Sequence, residues 1–216
     1  MVANALDSDL RIRARVLQIM AALERAGATP ISNRDLHSVA YLANVLSPIW
    51  DVEPLETSVL KDREGPRSIA FEHEIDLCIG QGLLVVASLR PDPENPTRLD
   101  ATYRLNARVA RPILDSITLL PDEQSVEHFL NELAFALAEI QPEARDDAAL
   151  QDASWSNPAV AEGRIVDFGQ HSQRAAVNPS YNAAQAFQRF APEGMKFNRA
   201  EKLLMYMRLL KRRAHG

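Results

Sequence analysis

The 216-residue sequence predicts a mostly helical α+β protein, on three observations. Most of the chain places its apolar residues at three- and four-residue steps, the spacing of amphipathic helices. One short stretch, "LLVVASL" followed by "RLDATYRL", instead has the density and alternation of paired strands. Hydrophobic residues make up 46% and charged residues 25% of the chain, with eight glycines, a composition that buries a core and excludes global disorder.

From Asp9 to Ala26, Ile12, Val16, Ile19, Met20 and Leu23 form one helical face, and Gly27 follows as a stop signal. Ile31 then suits a short extended piece, and Ser32 or Asn33 suits the cap of a second helix ending at Pro48. "PLETSVLKDREGP" reads as a short third helix closed by Gly65 and Pro66, and a fourth runs from about Pro66 to Gly80 or Gly82. Two antiparallel strands follow, joined by the proline-rich loop "RPDPENPT", with Leu99, Ala101, Tyr103 and Leu105 on one face. Helix, short strand, helix, helix, hairpin is the order of a winged helix-turn-helix, here over residues 1–120 with an extra helical turn inserted.

Beyond it, "NARVARPILDSITLL" and "DEQSVEHFLNELAFALAEI" read as helices separated by Pro121, with Ser116, Thr118 and Asp122 as local caps. The second, over residues 121–141, carries a broad apolar stripe that includes Phe129, Leu133 and Leu137. Residues 142–197, interrupted by Pro142, Pro158, Pro179 and Pro192, read as an extended, irregular connector with little core, in which "RIVDF" suits a single strand or an anchor. The chain closes on a basic helix, residues 198–216, with Leu203, Met207 and Leu210 on one side.

The net charge of −5 conceals an asymmetry. Asn198 to Gly216 holds six Lys/Arg against one Glu, a net of +5 that leaves −10 on the residues before it. An acidic body repels a phosphate backbone, so sequence-independent DNA affinity would have to come from the tail, at Lys211, Arg212 and Arg213, or from a partner. That helix has three readings: an apolar stripe docked on protein with its cations solvated, phosphate contact, or a membrane surface. The N-terminal stretch lacks the apolar run of a signal peptide, and the single cysteine, Cys78, forms no internal disulfide; a cytoplasmic protein is expected.

The densest group of reactive side chains is "EHEIDLC", yet the position one turn after His73 is Leu77, so the two-histidine metal motif is incomplete. A solvated acidic face made by Glu72, Glu74 and Asp76 is the plainer reading, with Cys78 as a small buried hydrophobe. His37 beside an apolar stripe reads as a packed or capping histidine. No phosphate loop or nucleophile elbow is present, so neither catalysis nor a cofactor or metal is expected. The helix that would read DNA offers Arg67 as its only cation, and the wing arginines Arg90 and Arg98 are offset by Asp92, Glu94 and Asp100. Trp50, Trp155 and Tyr181 read as packed aromatics or as partner anchors.

The run "LHSVAYLANVLSPIWDVEPLETSVLKDREGP", continued by "GQGLLVV" and "LDATYRLN", resembles the middle component of bacterial three-component ABC-ATPase systems, to which Lamassu-type systems are related. The resemblance covers roughly residues 10 to 120. It implies a non-catalytic winged-helix adaptor between an SMC/Rad50-like ABC ATPase and an effector, often a nuclease, in defence against phages and plasmids. DNA would then be met only through the complex, and no membrane is involved. Under that reading Leu203, Met207, Leu210, Phe129, Leu133 and Leu137, with the acidic Glu72, Glu74 and Asp76, are the expected partner contacts. The alternative is a winged-helix transcriptional regulator that binds DNA directly.

Overall fold

The computed structural model describes residues 2–56, 58–63, 65–91, 99–168 and 177–214. Helix α1 (Val2–Arg25) turns its apolar face inward from Ile12 to Leu23. It ends as its sequence predicts: Gly27 adopts φ 69°, and the Ala28 amide donates back to Leu23 O at 2.9 Å. Strand β1 (Ile31–Ser32) leads into α2 (Asn33–Trp50), where the Ser32 hydroxyl accepts from the Asp35 amide at 3.0 Å.

Helix α2 is apolar nearly all round and is buried from Leu36 to Ser47, which makes it the central rod of the molecule. It does not stop at Pro48. The proline removes the amide that Asn44 O would accept, and the Ser47 hydroxyl takes its place at 2.9 Å. The helix closes two residues later, where Asp51 adopts φ 60°.

The short third helix expected over Pro54–Pro66 is absent among the described residues. Ser58–Leu60 is instead a strand, β2, paired antiparallel with β5 (Ile165–Asp167), the "RIVDF" piece. Val59 lies opposite Val166, and the pairing extends through Lys61 N to Arg164 O at 2.8 Å. The Lys61 amine also donates to Val160 O at 2.9 Å. These partners lie a hundred residues away in sequence, and they outweigh the weak local helix preference of the segment.

Ser68 caps α3 (Ile69–Gly80), accepting from the Phe71 amide at 3.2 Å. Gly82 at φ 71° turns the chain into β3 (Leu84–Pro91), which pairs antiparallel with β4 (Leu99–Leu105). β1 joins the other side of β4, giving a sheet of order β1-β4-β3 with a bulge between Val86 and Ser88. Helices α4 (Ala107–Thr118) and α5 (Pro121–Ala138) follow, with Pro121 in the first turn of α5, where its missing amide costs nothing. The proposed caps do not form: the Ser116 and Thr118 hydroxyls bond back to Pro112 O and Leu114 O within α4, and α5 has no side-chain cap.

The expectation of an extended connector with little core is corrected. After a 3-10 turn (Pro142–Ala144), α6 (Arg145–Leu150) and α7 (Pro179–Ala186) pack along α2 while β5 pairs with β2, and Ala148, Ala149, Trp155, Val166, Phe168 and Ala184 enter the same core as α1 to α5. Trp155 and Phe168 both meet the edge of Tyr41, with ring centroids 5.4 Å apart. Helix α8 (Arg199–Ala214) begins with a reciprocal cap, Asn198 and Glu201 each accepting the other's amide, and lies against α5 and α6. No described helix is long and apolar enough to cross a membrane.

Phe129, Leu133 and Leu137 on α5, and Leu203, Met207 and Leu210 on α8, are all buried within this chain. The two stripes expected to meet a partner are core, because α5 and α8 supply each other's apolar surface. Truncating Leu210 to Ala should therefore lower unfolding free energy by about 2–5 kcal/mol. A urea melt checks this; an unchanged midpoint would contradict the packing.

Candidate functional site

Helix α3 was expected to present three carboxylates to solvent, and it treats each differently. Glu74 is 2% exposed and accepts from Arg13 Nε of α1 at 2.6 Å. Asp76 is exposed, as expected. Glu72 lies between, as the hub of a polar network. It accepts from Asn33 Nδ2 at 3.0 and 3.2 Å, from Arg67 Nη2 at 3.1 Å, and from His37 Nε2 at 2.8 Å. The uniformly solvated acidic face is thus corrected: helical periodicity turns Glu74 beneath α3, where burial is sustained only by its ion pair.

His37 accepts the Ser68 amide on Nδ1 at 3.4 Å, which leaves its proton on Nε2 for Glu72. Serine, histidine and glutamate thus meet, but not as a hydrolytic relay. The Ser68 hydroxyl accepts the Phe71 amide and donates to Glu56 Oε1 at 2.7 Å, away from the imidazole. The adjoining cavity holds about 10 Å³, the room of a single water. A second cavity, between α1, α2 and α5, holds about 20 Å³ and is also small. Among the described residues no group of three His, Cys, Asp or Glu side chains is placed to hold a metal ion. Burial pushes the Cys78 thiol up to about 11, which leaves it protonated and inert.

The hairpin supplies the other wall. The pairing Leu84–Leu105, Val86–Tyr103, Leu89–Ala101 and Pro91–Leu99 sets one face of β3 and β4. Leu84 and Tyr103 are buried at its base, whereas Leu89 and Leu99, at 58% and 59%, are exposed. Burial, then the charges of Glu72, Asp76 and Asp100, push the Tyr103 hydroxyl up to about 12.

The basic end of α8 is partly engaged. Lys211 donates to Glu139 O and Arg213 to Gln151 O at 3.4 Å, while Arg212 is exposed. Trp50 packs on Phe129 and His128, Trp155 is buried on Tyr41, and Tyr181 is half-buried against the core.

Comparison with protein-family models, with curated proteins and with solved structures returned no match.

A polar node that the sequence does not announce lies at Asp152, which is fully buried. Its carboxylate accepts from the Tyr41 hydroxyl at 2.6 Å, the Tyr206 hydroxyl at 2.7 Å, the Ser180 hydroxyl at 2.7 Å and the Ser154 amide at 2.9 Å. Asn178 extends the node by donating to Val45 O at 2.8 Å and capping α7. Burial, then the Asp152 charge, raises both tyrosines well above their ordinary range. Only "NPS", an asparagine cap before proline, gives a local signal of it. The node is structural, since every group in it is occupied by the others. Asp152→Ala should cost about 3–5 kcal/mol by removing the buried acceptor of three hydroxyls, and Asp152→Asn less; thermal melts that rank them otherwise reject the assignment.

Glu72 has a measurable signature. The His37 hydrogen bond, against some desolvation, holds its carboxyl at about 2 rather than 4.5. The folded chain therefore binds fewer protons than the unfolded chain below pH 4.5, so the stability Glu72 adds is whole above 4.5 and is lost as pH falls toward 2. After allowance for solvent screening it amounts to about 1–2 kcal/mol. Glu72→Gln should flatten the stability profile across that window; parallel profiles would show that the network contributes nothing.

Proposed function

We propose that the chain is a cytoplasmic, non-catalytic winged-helix adaptor that links an SMC/Rad50-like ABC ATPase to an effector, often a nuclease, in a bacterial defence complex. The winged-helix reading is supported by α3 leading directly into the β3–β4 hairpin and by the sheet order β1-β4-β3. The observation that carries the protein-binding reading is the make-up of the surface where such a fold would meet DNA. Its exposed side chains include Ile69 at 87%, His73, Asp76, Leu89 and Leu99. Arg67, just before the Ser68 cap of α3, is held by Glu72. Base edges call for Arg, Lys, Asn or Gln, and a phosphate backbone calls for positive charge. Apolar and acidic side chains in their place suit another protein.

On this reading DNA reaches the chain only within the assembled complex, with Lys211, Arg212 and Arg213 at the end of α8, the latter two exposed, as the cations to serve it. The alternative, a transcriptional regulator, requires direct affinity for its own promoter with a steep salt slope.

The adaptor should co-purify with an ABC ATPase encoded beside it and give no band shift on its promoter DNA at low salt. A salt-sensitive shift abolished by Arg67→Ala would overturn the adaptor in favour of the regulator.

A further inference from the structure

We propose that two copies of this chain pair through α4, with the two helices antiparallel about a two-fold axis.

Helix α4 is strongly amphipathic, yet its neighbours cover only part of its apolar side. α1 and α5 pack against it; Ala110 is buried, and Leu114 and Ile117 are half-buried. A second row stands in solvent beside that contact. Val109, Ile113, Ile117 and Leu120 follow one another at four-, four- and three-residue steps, which places them on one side of the helix. Leu120 belongs to the row because its amide bonds back to Ile117 O at 3.0 Å, carrying the turn past Thr118. Val109, Ile113 and Leu120 are 43%, 41% and 56% exposed, and the adjoining Leu119 is 80% exposed. At 1.5 Å per residue the row is roughly 16 Å long, enough for a second helix to lie along it.

Charge selects a second copy as the occupant. The chain carries a net charge of −5, so two copies repel unless they meet where neither has an excess. The row itself is uncharged. Pro112 and Ser116 flank it, while the helical period sets Arg111 and Asp115 across the helix from it. Its two ends carry opposite charges. Arg108, about 100° round the helix from Val109, stands before the row, and Asp122 stands after it. Both are exposed, and among the described residues neither has a partner. Glu123, the next acid, is taken up by Arg15 and Gln18. An antiparallel pair sets Val109 of one copy opposite Leu120 of the other, keeps Ile113 beside the axis, and brings each Arg108 to the other copy's Asp122. A parallel pair would bring like charges together and align the helix dipoles unfavourably. The same patch serves both copies, so the assembly closes at two. Two short helices bury less than the roughly 1,200 Å² of a standard interface, so the pair is weak and reversible.

Sedimentation equilibrium of the full chain, from about 1 µM to about 1 mM, should show the mass rising from 24.0 kDa toward twice that value. Ile113→Asp should weaken association by about tenfold or more. Arg108→Asp and Asp122→Arg should each weaken it, and the two together should restore it, since the swapped charges again meet as opposites. Leu60→Asp, at an exposed position on β2, should leave it unchanged. A constant mass of 24.0 kDa, a dimer indifferent to Ile113→Asp, or a double variant no better than the single ones would each overturn the proposal. So would a monomer whose Ile113→Asp variant loses an ATPase that the wild type retains, which gives the row to a partner's helix instead. Dimerisation without ATPase co-purification would keep the pair and remove the adaptor.

Discussion

A single carboxylate ties α2 to helices that follow much later in the chain. Asp152 is sealed from water and takes hydroxyls from α2, α7 and α8. A lone buried charge costs several kcal/mol; a fully hydrogen-bonded one fixes every donor around it. Helix α2 can be apolar nearly all round because α5, α6, α7 and α8 pack against it, and Asp152 joins α2 to the last two of them.

What was legible in the sequence was local. The face from Ile12 to Leu23, the Ser32 cap, the stop at Gly27 and the alternation from Leu99 to Leu105 depend on neighbours within a turn or a hairpin. What was illegible depended on distant residues. Ser58–Leu60 is a strand because Ile165–Asp167 lies beside it, and the proline-broken stretch after Gln141 packs because α2 offers it an apolar wall. The stripes of α5 and α8 were visible as stripes, but periodicity does not say whether an apolar face meets its own chain or another. Nothing near Asp152 in sequence points to Tyr41 or Tyr206.

The acidic helix shows the same division at the scale of one side chain. Glu72, Glu74 and Asp76 were legible as charges, but their burial was not, since it turns on Arg13 and His37 from other helices. Once those contacts take up Glu74 and most of Glu72, the charge left at the surface is sparse and lies beside exposed aliphatic side chains. The surface of α3 is therefore mixed in character, not generally acidic.

Placing α8 in the core has a consequence for how the molecule is made. During synthesis α2 and the stripe of α5 emerge long before Leu203, Met207 and Leu210 are there to cover them. Contacts this far apart in sequence close late, and until they do the nascent chain presents a large adhesive surface. A message cut short before α8 would therefore yield a sticky fragment rather than a smaller working protein, and the cell receives either the whole folded chain or a substrate for its chaperones and proteases.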